Sequence, residues 1–407
     1  MKKINKKKKI KVLLLENIHT STKKFFQDNG YEVKTFEKAL SEEELVKEIS
    51  EVSILGIRSK TKITKKILQN APRLLVIGAF CIGTDQIDIN ACNKNGVAVF
   101  NAPYSSTRSV VELVLGEMIM LLRRVFDKST NLHKGIWNKE ASGSFETRGK
   151  TLGIVGYGNI GSQLSFVAES LGMKVCFFDL EEKSAIGNAE KCHSMQELLK
   201  KSDIVTLHID ARPSNRNLID KKQFELMKVG SYFLNISRGS VVNLDALAYS
   251  LKSNHLAGAG IDVFPEEPKN NNEKLFCALQ GLPNVILTPH IGGSTEEAQR
   301  NISNYVSAKL FDFIATGNTN MSNNLPNVNV PLLRKVHRII HIHENIPGIL
   351  AKINDVFADY KINISGQHLA TNQTLGYVLT DIDSPCKLEI INKLKLIPST
   401  IKVIMLS

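Results

Sequence analysis

Arg238, Glu267 and His290 carry the three groups that hydride exchange at a carbinol carbon requires. Those are a fixed cation for a carboxylate, an acid/base for the hydroxyl proton, and an anion to orient that acid/base. Histidine, as a residue type, titrates near neutrality and suits proton transfer. A carboxylate beside it fixes its tautomer and favours its protonated form, and the planar fork of an arginine matches a carboxylate bidentately. Each of the three follows a short apolar run. Arg238 stands in SRGS after Tyr232 to Ile236, Glu267 in DVFPEEP after Gly258 to Val263, and His290 in TPHIGG after Val285 to Thr288. Glu266 adjoins Glu267, and either acid could be a solvated loop residue. Asp262, at the end of its run, is a candidate to hold a nicotinamide carboxamide.

Residues so far apart along the chain need a framework, and the stretch from Thr151 to Asp179 supplies it. An apolar run leads to Gly156, Gly158 and Gly161 in the spacing G-x-G-x-x-G, followed by an amphipathic segment and a second apolar run. That order predicts strand, tight turn, helix and strand. The first glycine permits the turn, the second lets backbone approach a pyrophosphate, and the third lets the helix pack on the strand. Helix amides from Asn159 onward would face the phosphates. Asp179 would accept from an adenosine ribose and repel a 2′-phosphate, which favours NAD over NADP.

Around this unit the apolar pattern alternates strand and helix. Strands are expected at Ile10 to Leu15, Tyr31 to Thr35, Ser53 to Arg58 and Leu74 to Gly78, with helices between them, which makes a parallel sheet. Val97 to Asn101 reads as a strand leaving that domain. Thr107 to Arg124 is expected to be a helix with Val110, Val111, Val114, Leu115, Met118 and Leu122 on one stripe. Thr295 to Thr316 is a helix that would return the chain to the first domain. Gly317 to Pro331, rich in Asn, Pro, Thr and Ser, reads as a linker. Beyond it the pattern is βαββαβ, a ferredoxin-like unit.

The chain has 407 residues, enough for two or three cores, and a formal charge of +12. Its only dense basic block is Lys2 to Lys11, expected to be a solvated, disordered end. The other lysines are scattered, so nucleic-acid binding is not expected. No apolar run approaches the length of a transmembrane helix, and the N-terminus resembles a first strand more than a signal peptide, so no membrane partner is expected. Six cysteines without C-x-x-C pairing argue for reduced thiols in a cytoplasm and for no metal.

VGYGNIG with its downstream Asp179, then ISRGSVV, GAGIDVFPEEP and LTPHIGGST, resemble the D-isomer-specific 2-hydroxyacid dehydrogenases. GIRSKT, FCIGTDQID, FNAPYSSTRSV, WNK and HIHENIPG are similar to the shorter, serine-inhibited bacterial branch that acts on phosphoglycerate. The resemblance implies an α/β fold. A doubly wound Rossmann-type nucleotide domain (105–296) would be inserted in a flavodoxin-like substrate domain (1–104 and 297–325), with a linker (326–335) and a C-terminal ACT domain (336–407). It further implies NAD-dependent oxidation of D-3-phosphoglycerate to 3-phosphohydroxypyruvate, the first step of L-serine synthesis, in a homotetramer, with possible reduction of 2-ketoglutarate. Carried over by position, Arg238, Glu267 and His290 would be catalytic. Asn159, Ile160, Asp179, Ile236, Ser237, Arg238, Asp262, His290, Ile291, Gly292 and Gly293 would line NAD. Arg58, Ser59 and Lys60 would take the substrate's phosphate and carboxylate, with Lys139 reaching a neighbouring subunit's site. Lys60 stands where the branch often has arginine, which keeps the charge and loses the fork. His343, Asn345 and Asn363 would bind the effector, L-serine, between two ACT units.

Overall fold

The computed structural model describes residues 10–268, 272–331 and 336–406. Residues 2–9 of the lysine block and residues 332–335 of the expected linker lie outside the described residues. The chain forms two compact units. One is built from residues up to Pro103 together with those from Gln299 onward, the other from Tyr104–Ala298.

The first unit opens with five parallel strands, β1 (Lys11–Leu14), β2 (Glu32–Thr35), β3 (Ile54–Ile57), β4 (Val76–Ala79) and β5 (Ala98–Phe100). Their order is β2-β1-β3-β4-β5, a flavodoxin-like arrangement. β3 and β4 are buried along their whole length, as helices on both faces require. The helix Glu42–Ile49 begins at a capping box in which Ser41 and Glu44 satisfy each other's backbone amides. β5 is the outer strand of this sheet, and the chain leaves the unit shortly after it, at Pro103. A further helix, Ile89–Asn95, has only Ala91 and Cys92 buried, too few to show a stripe. Its marks in the sequence are caps: Asp88 at the start and Gly96, at φ +56°, at the end.

The second unit holds β6 (Thr151–Val155), β7 (Lys174–Phe178), β8 (Glu190–Lys191), β9 (Ile204–Leu207), β10 (Ser231–Asn235), β11 (Leu256–Ile261) and β12 (Val285–Leu287). All are parallel, in the order β12-β11-β10-β9-β6-β7-β8. The order reverses between β6 and β9, and in a doubly wound sheet that is where ligands bind. The helix Thr107–Arg123 lays Val110, Val111, Val114, Met118 and Leu122 into the same core as Leu152, Ile154 and Leu234. Two helices absent from the sequence reading follow: Val125–His133, which buries none of its residues, and Met195–Lys201, capped by Ser194.

The first unit resumes at Gln299 within the helix Glu296–Thr316, whose Ile302, Val306, Leu310 and Phe313 join Val12, Ile54 and Val76 in one core. Residues 317–331 correct the linker reading. Asn324 accepts from the Val99 amide (2.9 Å) and donates to the Val97 carbonyl (2.9 Å), while Thr319 Oγ1 accepts from the Val328 amide (2.9 Å). β5 is an edge strand with unpaired peptide groups, and amide side chains satisfy them as a sixth strand would. The composition that suggested a linker is the composition of this cap.

A four-stranded antiparallel sheet closes the chain: β13 (His337–Glu344), β14 (Ile364–Thr371), β15 (Leu375–Ile382) and β16 (Thr400–Met405), in the order β14-β15-β13-β16. With the helices Ile349–Asp359 and Leu388–Lys395 it forms the βαββαβ unit. Ile339, Val378 and Ile382 pack against those helices, while Ile340, Ile342, Tyr377 and Leu379 pack into the core of the first sheet.

Candidate active site

The carboxyl ends of the central parallel strands share one edge of the second unit, and the residues expected from the sequence to hold a dinucleotide sit there, in the turns that follow, or in the first turn of the helix Asn159–Ser170. After β6, Gly156 adopts φ +93°, and a Cβ there would lie 2.4 Å from the His208 carbonyl oxygen at the end of β9. Only glycine fits. Gly161 would place a Cβ 2.3 Å from the Gly156 oxygen, so its absence lets the helix Asn159–Ser170 start against the turn. Gly158, the cap of that helix, faces open space, so its reason lies outside the protein's own packing. A helix N-terminus opening at such a glycine suits the close approach of an anion such as a pyrophosphate. Asp179 accepts from the Tyr157 amide (2.7 Å) and the Glu181 amide (2.9 Å), which fixes its carboxylate beside the glycine turn.

Beyond β12, His290 adopts φ +55° and donates its own amide to the Asp262 carbonyl (2.8 Å). Its Nδ1 lies 2.9 and 3.0 Å from the two oxygens of Glu267, whose Oε1 also accepts from the Phe264 amide (3.3 Å). The sequence left Glu266 and Glu267 as rivals, and Glu267 is the one that meets the imidazole. Burial works to raise the Glu267 carboxyl, but the His290 hydrogen bond and charge, the Phe264 amide and the Arg238 charge outweigh it and hold the group below its ordinary value. The Arg238 guanidinium is thus part of the same cluster. Its Nη1 donates to the Ser237 carbonyl (2.8 Å), and Asn235 secures the loop by accepting from the Ser237 amide and donating to the Arg238 carbonyl. A Cβ at Gly239 would lie 2.0 Å from the Phe264 backbone, so the loops carrying Arg238 and Glu267 close on each other. An imidazole paired on one nitrogen with a carboxylate, beside a guanidinium, can exchange a proton at its free Nε2 with a bound hydroxyl.

Asp262 is fully buried and accepts from the Ile291 amide (2.7 Å), the Gly292 amide (2.8 Å) and the Thr288 hydroxyl (2.7 Å). Burial pushes its carboxyl up in spite of those donors. Behind it stands Glu117, a buried acid that the sequence reading passed over. The signal available was an acid on the apolar stripe, three residues after Val114 and one before Met118. Among the described residues, no group of three or more His, Cys, Asp or Glu side chains could hold a metal ion.

In the first unit, Arg58, Ser59 and Lys60 follow β3, and one carboxylate organises them. Glu16, buried and at φ +63°, accepts from the amides of Arg58 (3.2 Å), Lys60 (2.9 Å) and Thr61 (2.8 Å), while Gln86 donates to the Arg58 carbonyl (2.6 Å). Ser59 and Lys60 are exposed and Arg58 is half-buried. Lys139 is exposed in the second unit, two residues after Trp137. His343 is buried on β13 opposite Gly376, where a Cβ would overlap its ring, and its Nε2 has no partner among the described residues. Asn345 donates to the Asn372 carbonyl (2.7 Å) just beyond the same end of the sheet. Asn363 precedes Ile364, which pairs with Ile382, so it lies at the opposite end. One chain therefore brings His343 and Asn345 to one end and leaves Asn363 at the other.

Comparison with known proteins agrees with this geometry. The family model described as "D-isomer specific 2-hydroxyacid dehydrogenase, NAD binding domain" matches residues 115–292, and an "AHAS small subunit-like ACT domain" matches residues 339–402. D-3-phosphoglycerate dehydrogenase of Dictyostelium discoideum is 48% identical, with 97% of each chain covered, and that of Escherichia coli is 47% identical with the same coverage. Among solved structures, D-lactate dehydrogenase from Aquifex aeolicus complexed with NAD and lactic acid is 27% identical, with a TM-score of 0.67 over 74% of this chain and 95% of that one. A strand-end edge built for a dinucleotide, joined to a regulatory ACT domain and matched over nearly the full length, places this chain in the D-3-phosphoglycerate dehydrogenase family of the D-isomer-specific 2-hydroxyacid dehydrogenases, enzymes that use NAD.

Proposed function

We propose that this enzyme oxidises D-3-phosphoglycerate to 3-phosphohydroxypyruvate, the entry step of L-serine synthesis, in a cytoplasmic homotetramer that L-serine inhibits. The observation that carries the chemistry is the His290–Glu267 pair beside Arg238. NAD, when bound, would supply the acceptor for the hydride of the substrate's C2. His290 takes the C2 hydroxyl proton at Nε2, and Glu267 holds the ring by its Nδ1 and balances the charge it gains. Arg238 holds the substrate carboxylate and, in the reverse direction, polarises the carbonyl. Asp262 keeps one lone-pair direction for the nicotinamide carboxamide, its others being taken by Thr288, Ile291 and Gly292.

The phosphate falls to Arg58, Ser59 and Lys60, whose backbone Glu16 fixes. Serine between two ACT units is supported by the unpartnered, buried Nε2 of His343 and by the separation of Asn363 from it within one chain, since a second copy brings Asn363 to the site. Assembly through the second unit is supported by Val125, Phe126, Leu132, Ile136 and Trp137, all exposed apolar side chains on the helix Val125–His133 and the turn after it, close to Lys139. Six free cysteines fit a reducing compartment.

The test is NADH oxidation with phosphohydroxypyruvate, glyoxylate and 2-ketoglutarate compared by kcat/KM, repeated with L-serine. Preference for the phosphorylated acid and suppression by serine are expected. A preference for glyoxylate would overturn the substrate, and indifference to serine would overturn the regulation.

A further inference from the structure

Glu117 lies in the apolar stripe of the helix Thr107–Arg123 and is 3% exposed. A carboxyl there is costly unless it is neutral or paired. Its Oε1 is 3.3 Å from Thr288 Oγ1, and its Oε2 has no partner among the described residues. Space for that oxygen is reserved: a Cβ at Gly260 in β11 would lie 2.5 Å from it. Thr288 Oγ1 is 2.7 Å from Asp262 Oδ1. A hydroxyl has one hydrogen, and the shorter contact, to the carboxylate already held by the Ile291 and Gly292 amides, takes it. The 3.3 Å contact is then one in which a protonated Glu117 donates to Thr288. Burial and the Asp262 charge push the Glu117 carboxyl up to about 8, so the proton of this carboxyl pair resides on Glu117, the member with fewer donors.

We infer that Glu117 is a positioning residue for the nicotinamide end of the site: as a neutral acid it donates through Thr288 to Asp262, and thereby fixes the loop from Thr288 to Gly293 that carries His290. The chain of contacts is continuous. Glu117 meets Thr288, Thr288 meets Asp262, and Asp262 holds the amides of Ile291 and Gly292 on its carboxylate and that of His290 on its carbonyl. Without the donor, Thr288 is free to turn, and Asp262 loses the hydroxyl that fixes the direction left for a carboxamide. The inference rests on the reading of Asp262 as the carboxamide holder.

The experiment measures affinity for NADH and for ADP-ribose, which lacks the nicotinamide, together with kcat for NADH oxidation by phosphohydroxypyruvate, in Glu117→Met, Glu117→Gln and Asp262→Asn. Glu117→Met fills the volume without a donor. It should weaken NADH binding and lower kcat by about tenfold each, with ADP-ribose affinity unchanged; that retained affinity reports a folded domain. Glu117→Gln keeps an N–H donor and should restore both to within about threefold. Unaltered kcat and NADH affinity in Glu117→Met overturn the inference, as does an equal loss of both ligands or a glutamine variant as damaged as the methionine one. Asp262→Asn separates the two readings. If it binds NADH and ADP-ribose as the wild type does, the carboxamide reading itself is wrong. If it alone loses NADH, only the role of Glu117 fails.

Discussion

His290 is held by its amide on Asp262 and its Nδ1 on Glu267, which leaves Nε2 as the one ring atom able to trade protons. The carboxyls around it are tuned in opposite directions, Glu267 lowered by its partners and Glu117 raised by burial and Asp262. The second shift sets a stability dependence whose sign is fixed. Glu117 has a folded value of about 8 against an ordinary 4.5, so between those values the folded chain binds more protons than the unfolded one. Stability from this group is therefore full below the ordinary value and is lost as pH rises through the folded one. Glu117→Gln removes that loss. Melting temperatures of the two proteins should converge near pH 5 and separate progressively towards pH 8, with the glutamine variant the more stable. A gap that does not change with pH would contradict the protonated state assigned to Glu117. The sequence pointed to His290, Arg238 and, with Glu266 beside it, Glu267 because each sits in a polar turn after an apolar run. Glu117 was marked only by its place on an apolar stripe, and the role of either Glu117 or Glu16 depends on partners distant in the chain.

At the scale of elements, strand ends position the chemistry and glycines set how closely they approach. Gly156 is the clearest case, with φ +93° and no room for a Cβ beside His208. Gly156→Ala should cost about 1–3 kcal/mol in denaturant unfolding and weaken NADH at least about tenfold, because the backbone must leave the left-handed region and move the turn. Unchanged NADH affinity would mean that the turn does not hold the pyrophosphate. Most of the strands and helices were legible in the sequence, including the βαββαβ order of the last unit, since their apolar periods are strong. Ile89–Asn95 and Val125–His133 were not, for the physical reason that they bury two residues and none. Residues 317–331 were misread because side chains that cap an edge strand have the composition of a loop.

Across the whole first unit the ACT sheet and the parallel sheet share one core, so the former is continuous with the latter. Arg338, ion-paired to Asp381 within the ACT sheet, also reaches outside it. Arg338 donates to both Asp381 oxygens (2.7 Å each), to the Thr316 carbonyl (2.8 Å) at the end of the long helix and to the Pro331 carbonyl (2.8 Å). Arg338→Met strands Asp381, which is 3% exposed, and should cost about 3–5 kcal/mol in urea unfolding, with part recovered in the double variant Arg338→Met, Asp381→Leu. A single variant as stable as the wild type would show that the pair does not stabilise the fold. The central claim, that His290 exchanges the substrate proton at a nicotinamide held beside it, is tested most directly by single-turnover NADH oxidation with phosphohydroxypyruvate in wild type and His290→Gln. The predicted result is a rate lower by about a hundredfold or more in the variant with NADH affinity unchanged. A variant that oxidises NADH at the wild-type rate would contradict it.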